Sequence, residues 1–103
     1  MTEVITKASI LDAAKEAVSG RGLNYGKTED NFQRIADRWS VHLRNMYRIE
    51  VALRPESVAI MMGDLKVARL ENKADHYDSW IDLVGYAACG AEIAMRSKSD
   101  ADK

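Results

Sequence analysis

One cysteine, one proline and one phenylalanine are all that 103 residues contain of those types, and no apolar run approaches the length of a membrane span. Each scarcity excludes something. A lone Cys89 can neither close an internal disulfide nor build a cysteine-based zinc site, and it fits a reducing, cytoplasmic setting. Without a long apolar stretch no transmembrane helix is expected, and the N-terminus lacks the apolar core of a signal peptide. An excess of one charge is missing too. With 15 basic and 16 acidic residues the formal net charge is -1, so there is no electrostatic case for non-specific DNA or RNA binding. A single local anion site remains compatible with that balance.

What is present is ordinary for a soluble globular protein, 47% apolar and 30% charged. No internal repeat, low-complexity block or linker divides the chain. One helical domain is expected over residues 1–96, followed by a polar tail, 97–103, whose composition suggests disorder. A domain this small buries a modest share of its surface, so a homo-oligomer would add stability.

Apolar spacing points to four helices. Ile10, Leu11, Ala14 and Val18 give the first a stripe from Thr6 or Ser9 to Ser19, with Gly20 as its stop. A loop around Gly22 and Gly26 follows. Thr28 is placed to cap the second helix, and Glu29 and Asp30 suit its first turn. Phe32, Ile35, Ala36, Trp39 and Leu43 mark its buried face, and it fades near Tyr47. Residues 48–53 alternate apolar and polar but have no second strand to pair with, so they read as an extended connection. Pro55 suits the first position of a third helix ending near Glu71, with Val58, Met61, Met62, Leu65 and Ala68 inward. A fourth helix spans about Tyr77 to Arg96. Its Gly85, Ala87, Ala88, Gly90 and Ala91 would let another helix or a ligand approach the backbone. The expected fold is all-α, a four-helix bundle-like single domain.

Charge in the wrong place is the strongest functional signal. Lys66 and Arg69 interrupt the apolar run Val58–Leu70, one turn apart, and with Met62 and Lys73 they share a stripe. Asp78 and Asp82 sit one turn apart at the start of the fourth helix. A small domain tolerates such charge when it is paired or meets a ligand. The plainer interpretation is an ion pair between the third and fourth helices; the sharper one is a phosphate site, with a planar arginine fork and a lysine point charge. Asp78 and Asp82 could hold a divalent metal if further oxygen ligands came from elsewhere, or accept hydrogen bonds from hydroxyl or amino groups. Tyr25 could stack on a base, although an aromatic packed over its loop is the commoner case. Trp39 and Trp80 suit core or interface anchors. His42 and His76 have no partner at metal-ligand spacing.

Four blocks taken together carry a resemblance. They are Asn24-Tyr25-Gly26; Asn31-Phe32-x-x-Ile35-Ala36-x-x-Trp39-Ser40; Val58-Ala59-x-Met61-Met62-x-x-Leu65-Lys66-x-Ala68-Arg69-Leu70; and Asp78-x-Trp80-x-Asp82-x-x-Gly85-Tyr86-Ala87. The pattern resembles a small phage- and prophage-borne family of unknown function, over about residues 9 to 94. Members often carry Thr or Ser before the proline that opens the third helix; Arg54 stands there instead. The helical pattern is similar to phage nucleotide-modification-associated domains and, more distantly, to all-α nucleoside triphosphate pyrophosphohydrolases of the MazG and dimeric dUTPase type. Those enzymes hold magnesium with a Glu-Glu-x-x-Glu block and a later Glu-x-x-Asp block, and neither occurs here.

The resemblance and the charges together imply a phage protein of the infected or lysogenic host's cytoplasm. It would bind and sequester a phosphorylated nucleotide, a cyclic nucleotide immune signal among the candidates, without a cofactor. Lys66 and Arg69 would hold phosphate, Asp78 and Asp82 would read polar groups, and Tyr25 and Asn31 would complete the ligand set. The alternatives are a MazG-like magnesium-dependent pyrophosphohydrolase, with Asp78 and Asp82 on the metal, and a non-catalytic interaction module in which the four charges pair internally.

Overall fold

The computed structural model describes residues 4–24 and 28–101, and they form four α-helices with no strand among them: α1 (Lys7–Asn24), α2 (Thr28–Tyr47), α3 (Pro55–Asn72) and α4 (Tyr77–Ala101). The all-α, four-helix bundle-like architecture is therefore the one adopted.

Several helix ends have a local cause. At the start of α1, the Thr6 N–H donates to Ser9 Oγ (2.9 Å) and the Ser9 N–H donates to Thr6 Oγ1 (3.1 Å). This is a reciprocal cap that satisfies two backbone donors. Gly20 does not stop α1, which continues to Asn24. The extension carries Gly22 as well, expected in a loop; each glycine costs a helix only about 1 kcal/mol, less than a stop requires once the helix is propagating. α2 ends on Arg48, whose φ of 56° is left-handed and whose N–H donates to the Arg44 carbonyl at 3.1 Å. That is the usual geometry of a helix C-terminus, filled here by a residue other than glycine.

The connection from 48 to 54 is neither helix nor strand, in keeping with the lack of a strand to pair with, and two α2 side chains fasten it. Arg44 Nη1 donates to the Val51 carbonyl (2.8 Å), and the buried Ser40 hydroxyl accepts from the Leu53 N–H (2.8 Å) while donating to the Ala36 carbonyl (2.7 Å). α3 then opens on Pro55. Arg54, in extended backbone, gives its first turn no side-chain cap. α4 begins where expected but runs through Ala101 rather than stopping near Arg96. Residues 97–101 contain no glycine or proline, so each added residue gains a backbone hydrogen bond at little cost.

α3 and α4 form an antiparallel hairpin, brought close where Gly90 faces Ala59. α1 packs on α4, and α2 packs mainly on α3. The core gathers Phe32 and Ala36 from α2, Val58 and Ala59 from α3, and Ile93 from α4, with Trp39, Leu53, Met62 and Tyr86 around them. The inward face of α2 is as its spacing indicated. That of α3 is rotated: Val58 is buried and Met62 half-buried, but Met61, Leu65 and Ala68 are exposed, and Ala59, Gly63 and Leu70 are buried instead. α3 is apolar on several sides, so its periodicity does not choose the face; the close approach of α4 does. Leu11, likewise expected inward on α1, is exposed, while Ala14 is buried.

Candidate functional site

Lys66 and Asp82 do come together. Lys66 Nζ lies 3.1 Å from Asp82 Oδ2, and the two side chains keep only 12% and 21% of their exposure. The pair bridges α3 and α4 across the hairpin, the arrangement that charge inside an apolar helix demands. Arg69 and Asp78 behave differently. Both are exposed, and no ion pair involves either of them among the described residues. The two cations and two carboxylates thus do not form one closed network.

Asp82 has a second environment. It lines a pocket of about 230 Å³ between α1, α2 and α4, together with Thr28, Asn31, Phe32, Met62 and Tyr86. The wall is largely apolar, and Phe32 and Tyr86 lie with ring centroids 6.3 Å apart and tilted by 36°. Thr28, Asn31 and Asp82 supply its polar edge. The volume lies below the range of drug-sized sites, about 300–1,000 Å³, and suits a single ring system with a few polar substituents.

Arg69 lies in a separate, open depression formed with Leu65, Ala68, Asn72, Lys73 and His76. Its cationic neighbour Lys73 is exposed and 4.0 Å from the still more exposed Asp75 carboxylate. Met62 in the pocket and Arg69 in the depression are seven residues apart on α3, about 10 Å along the helix axis. Lys66 falls between them. Of the expected ligand set, Asn31 and Asp82 share the pocket, Lys66 joins it through Asp82, Arg69 lies beyond it, and Asp78 stands on the exposed first turn of α4. Tyr25 lies outside the described residues.

Among the described residues, no group of three or more His, Cys, Asp or Glu side chains converges. Asp82 is already held by Lys66, and Asp78, one turn away, faces solvent. Two carboxylates so employed do not supply the several oxygens a magnesium ion takes from protein and substrate.

Three contacts had no expectation attached to them. His76 Nδ1 is 2.7 Å from the Oγ of Ser79, a fully buried side chain, and the Ser79 N–H reaches the His76 carbonyl at 3.2 Å. The His-x-x-Ser spacing at a helix start is the available signal, because those positions meet across the first turn. Trp80 Nε1 donates to the Ala74 carbonyl at 2.8 Å, closing the turn before α4. Arg96 reaches Glu29 at 2.7 Å and also pairs with Glu92, tying α4 to the start of α2. A separation of 67 residues leaves no local signal for that last contact.

A family model described as a domain of unknown function, DUF6378, matches residues 9–94. Two mycobacteriophage proteins are similar in sequence. The Gene 55 protein of Mycobacterium phage L5 is 40% identical over 80 residues, covering 77% of this chain and 48% of the relative. The Gene 55 protein of Mycobacterium phage D29 is 37% identical over 86 residues, covering 82% and 53%. The chain therefore spans about half the length of the curated relatives it matches. No solved structure matches.

Proposed function

The chain belongs to the DUF6378 family, a phage-represented family of unknown function, and on that premise we propose that it binds a phosphorylated nucleotide without turning it over. The observation that carries this is the order of groups along α3. A ring-sized pocket with a polar edge at Thr28, Asn31 and Asp82 adjoins Lys66 through Asp82, and Arg69 and the C-cap residue Lys73 line the next depression toward the end of α3. The base would occupy the pocket between apolar walls, with Asn31 and Asp82 meeting its polar edge. The phosphates would run outward past Lys66 to Arg69 and Lys73. The roughly 10 Å between Met62 and Arg69 is of the order of the reach from a base to its second phosphate. Asp82 holds the Lys66 ammonium in place, so part of the cost of fixing a flexible side chain is met before the ligand arrives.

Sequestration is favoured over the magnesium-dependent pyrophosphohydrolase because Asp78 and Asp82 do not form a converging oxygen set. A cyclic nucleotide immune signal is one member of the proposed ligand class. Its two phosphates would draw on the same cations.

Isothermal titration calorimetry against nucleoside mono-, di- and triphosphates and cyclic dinucleotides tests the proposal. Arg69→Ala/Lys73→Ala is expected to weaken binding roughly tenfold or more, as loss of charge-assisted contacts does. Asn31→Ala should change preference among bases. Absence of binding to every probe, or affinities untouched by both variants, would refute it.

A further inference from the structure

One face of the α3/α4 hairpin is covered by α1 and α2. Among the described residues, no helix covers the opposite face. There Ile60 and Val67, 65% and 40% exposed, stand beside a shallow groove floored by Gly63, Ala87 and Gly90. The groove is almost wholly apolar, with Glu56 and Asp64 on its rim.

The whole molecule carries more surface than a chain of its mass should. Its accessible area is 8009 Å², where a compact monomer of 11.5 kDa exposes about 5,800 Å². Its radius of gyration is 15.8 Å, against about 13 Å for a compact domain of this length. The excess of about 2,200 Å² per chain falls within what one subunit of an obligate homodimer buries, since such interfaces total about 2,000–5,000 Å².

We propose that a second copy of this chain covers the bare α3/α4 face, with Ile60 and Val67 of each copy set into the groove of the other around a two-fold axis. Small residues on the floor let the helices approach closely, and the projecting aliphatics supply the complementary shape, as an isologous interface requires. The pocket bounded by α1 and α2 lies on the other side of the hairpin, so this proposal stands or falls independently of the ligand.

Sedimentation velocity and light scattering over a dilution series of the full chain provide the test. Wild type should have twice the 11.5 kDa chain mass. Ile60→Glu/Ala87→Glu should revert to the single-chain mass with its helical circular dichroism retained, while Leu11→Glu, away from this face, should remain double. A wild type that is monomeric throughout, or a groove variant that keeps the double mass, overturns the proposal. Should the groove variant lose its helicity, carboxyl footprinting of the wild type decides. Labelling of Glu56 and Asp64 at least halved in the associated form supports the interface, and equal labelling at all dilutions overturns it.

Discussion

The Ser40 hydroxyl makes two hydrogen bonds in the core, and one of them, from the Leu53 N–H, crosses to the chain segment that leads into α3. Ser40→Ala would strand that donor in a half-buried position. A loss of about 1–2 kcal/mol is expected, read as a lower midpoint in urea with an unchanged slope. Arg48 presents the opposite case. Its left-handed backbone is strained for any residue with a Cβ, so Arg48→Gly should raise stability by about 0.5–1 kcal/mol; a drop in melting temperature would contradict that cause. The Lys66–Asp82 pair is mostly buried, and its worth lies in mutual compensation. Lys66→Met should cost about 2 kcal/mol by taking the Lys66 ammonium away from the mostly buried Asp82 carboxylate, and Lys66→Met/Asp82→Leu should recover most of it. A double-mutant cycle by chemical denaturation measures the coupling, and additive losses would show that the pair does not act as a unit.

The α3/α4 hairpin is set by glycine where two helices nearly touch. A Cβ built on Gly90 would lie 2.8 Å from the Ala59 Cβ, an atom fixed to backbone and unable to swing aside. Alanine at 90 would gain helix propensity, at most about 1 kcal/mol, but force the helices apart at the centre of the core. Overpacking should win. Gly90→Ala is expected to lower stability by about 1–2 kcal/mol net, and a thermal unfolding curve unchanged or shifted upward would show that α3 can yield. At the start of α1 the stake is local. Thr6→Ala removes half of a reciprocal cap, and faster amide exchange should appear in the first turn of α1 while the core of α2 keeps its protection.

For the whole molecule, openness is the dominant property. Among the described residues eight hydrophobic ones are buried, while fourteen large ones stay exposed along an outline of 54 × 37 × 25 Å. A chain whose missing burial is supplied by a second copy unfolds in a concentration-dependent way. The melting temperature should therefore rise with protein concentration, and Ile60→Glu/Ala87→Glu should abolish that dependence. A melting temperature identical across a hundredfold dilution would place the missing burial elsewhere.

The sequence by itself determined four helices, the start of α3 at Pro55, the core face of α2 and a non-helical link after Tyr47, because proline and strong apolar periodicity act locally. It also marked Lys66 and Asp82 as charges that must be answered, and their 3.1 Å contact is the answer. Tertiary structure alone decided the rest. Which side of the evenly apolar α3 turns inward depends on where Gly90 lets α4 approach, information that sits 31 positions from Ala59. The separation of Arg69 and Asp78 has the same origin. Helical spacing puts Lys66 with Arg69 and Asp78 with Asp82, but only the crossing of the two helices selects which cation meets which carboxylate, and it brings together one pair and leaves the other in water.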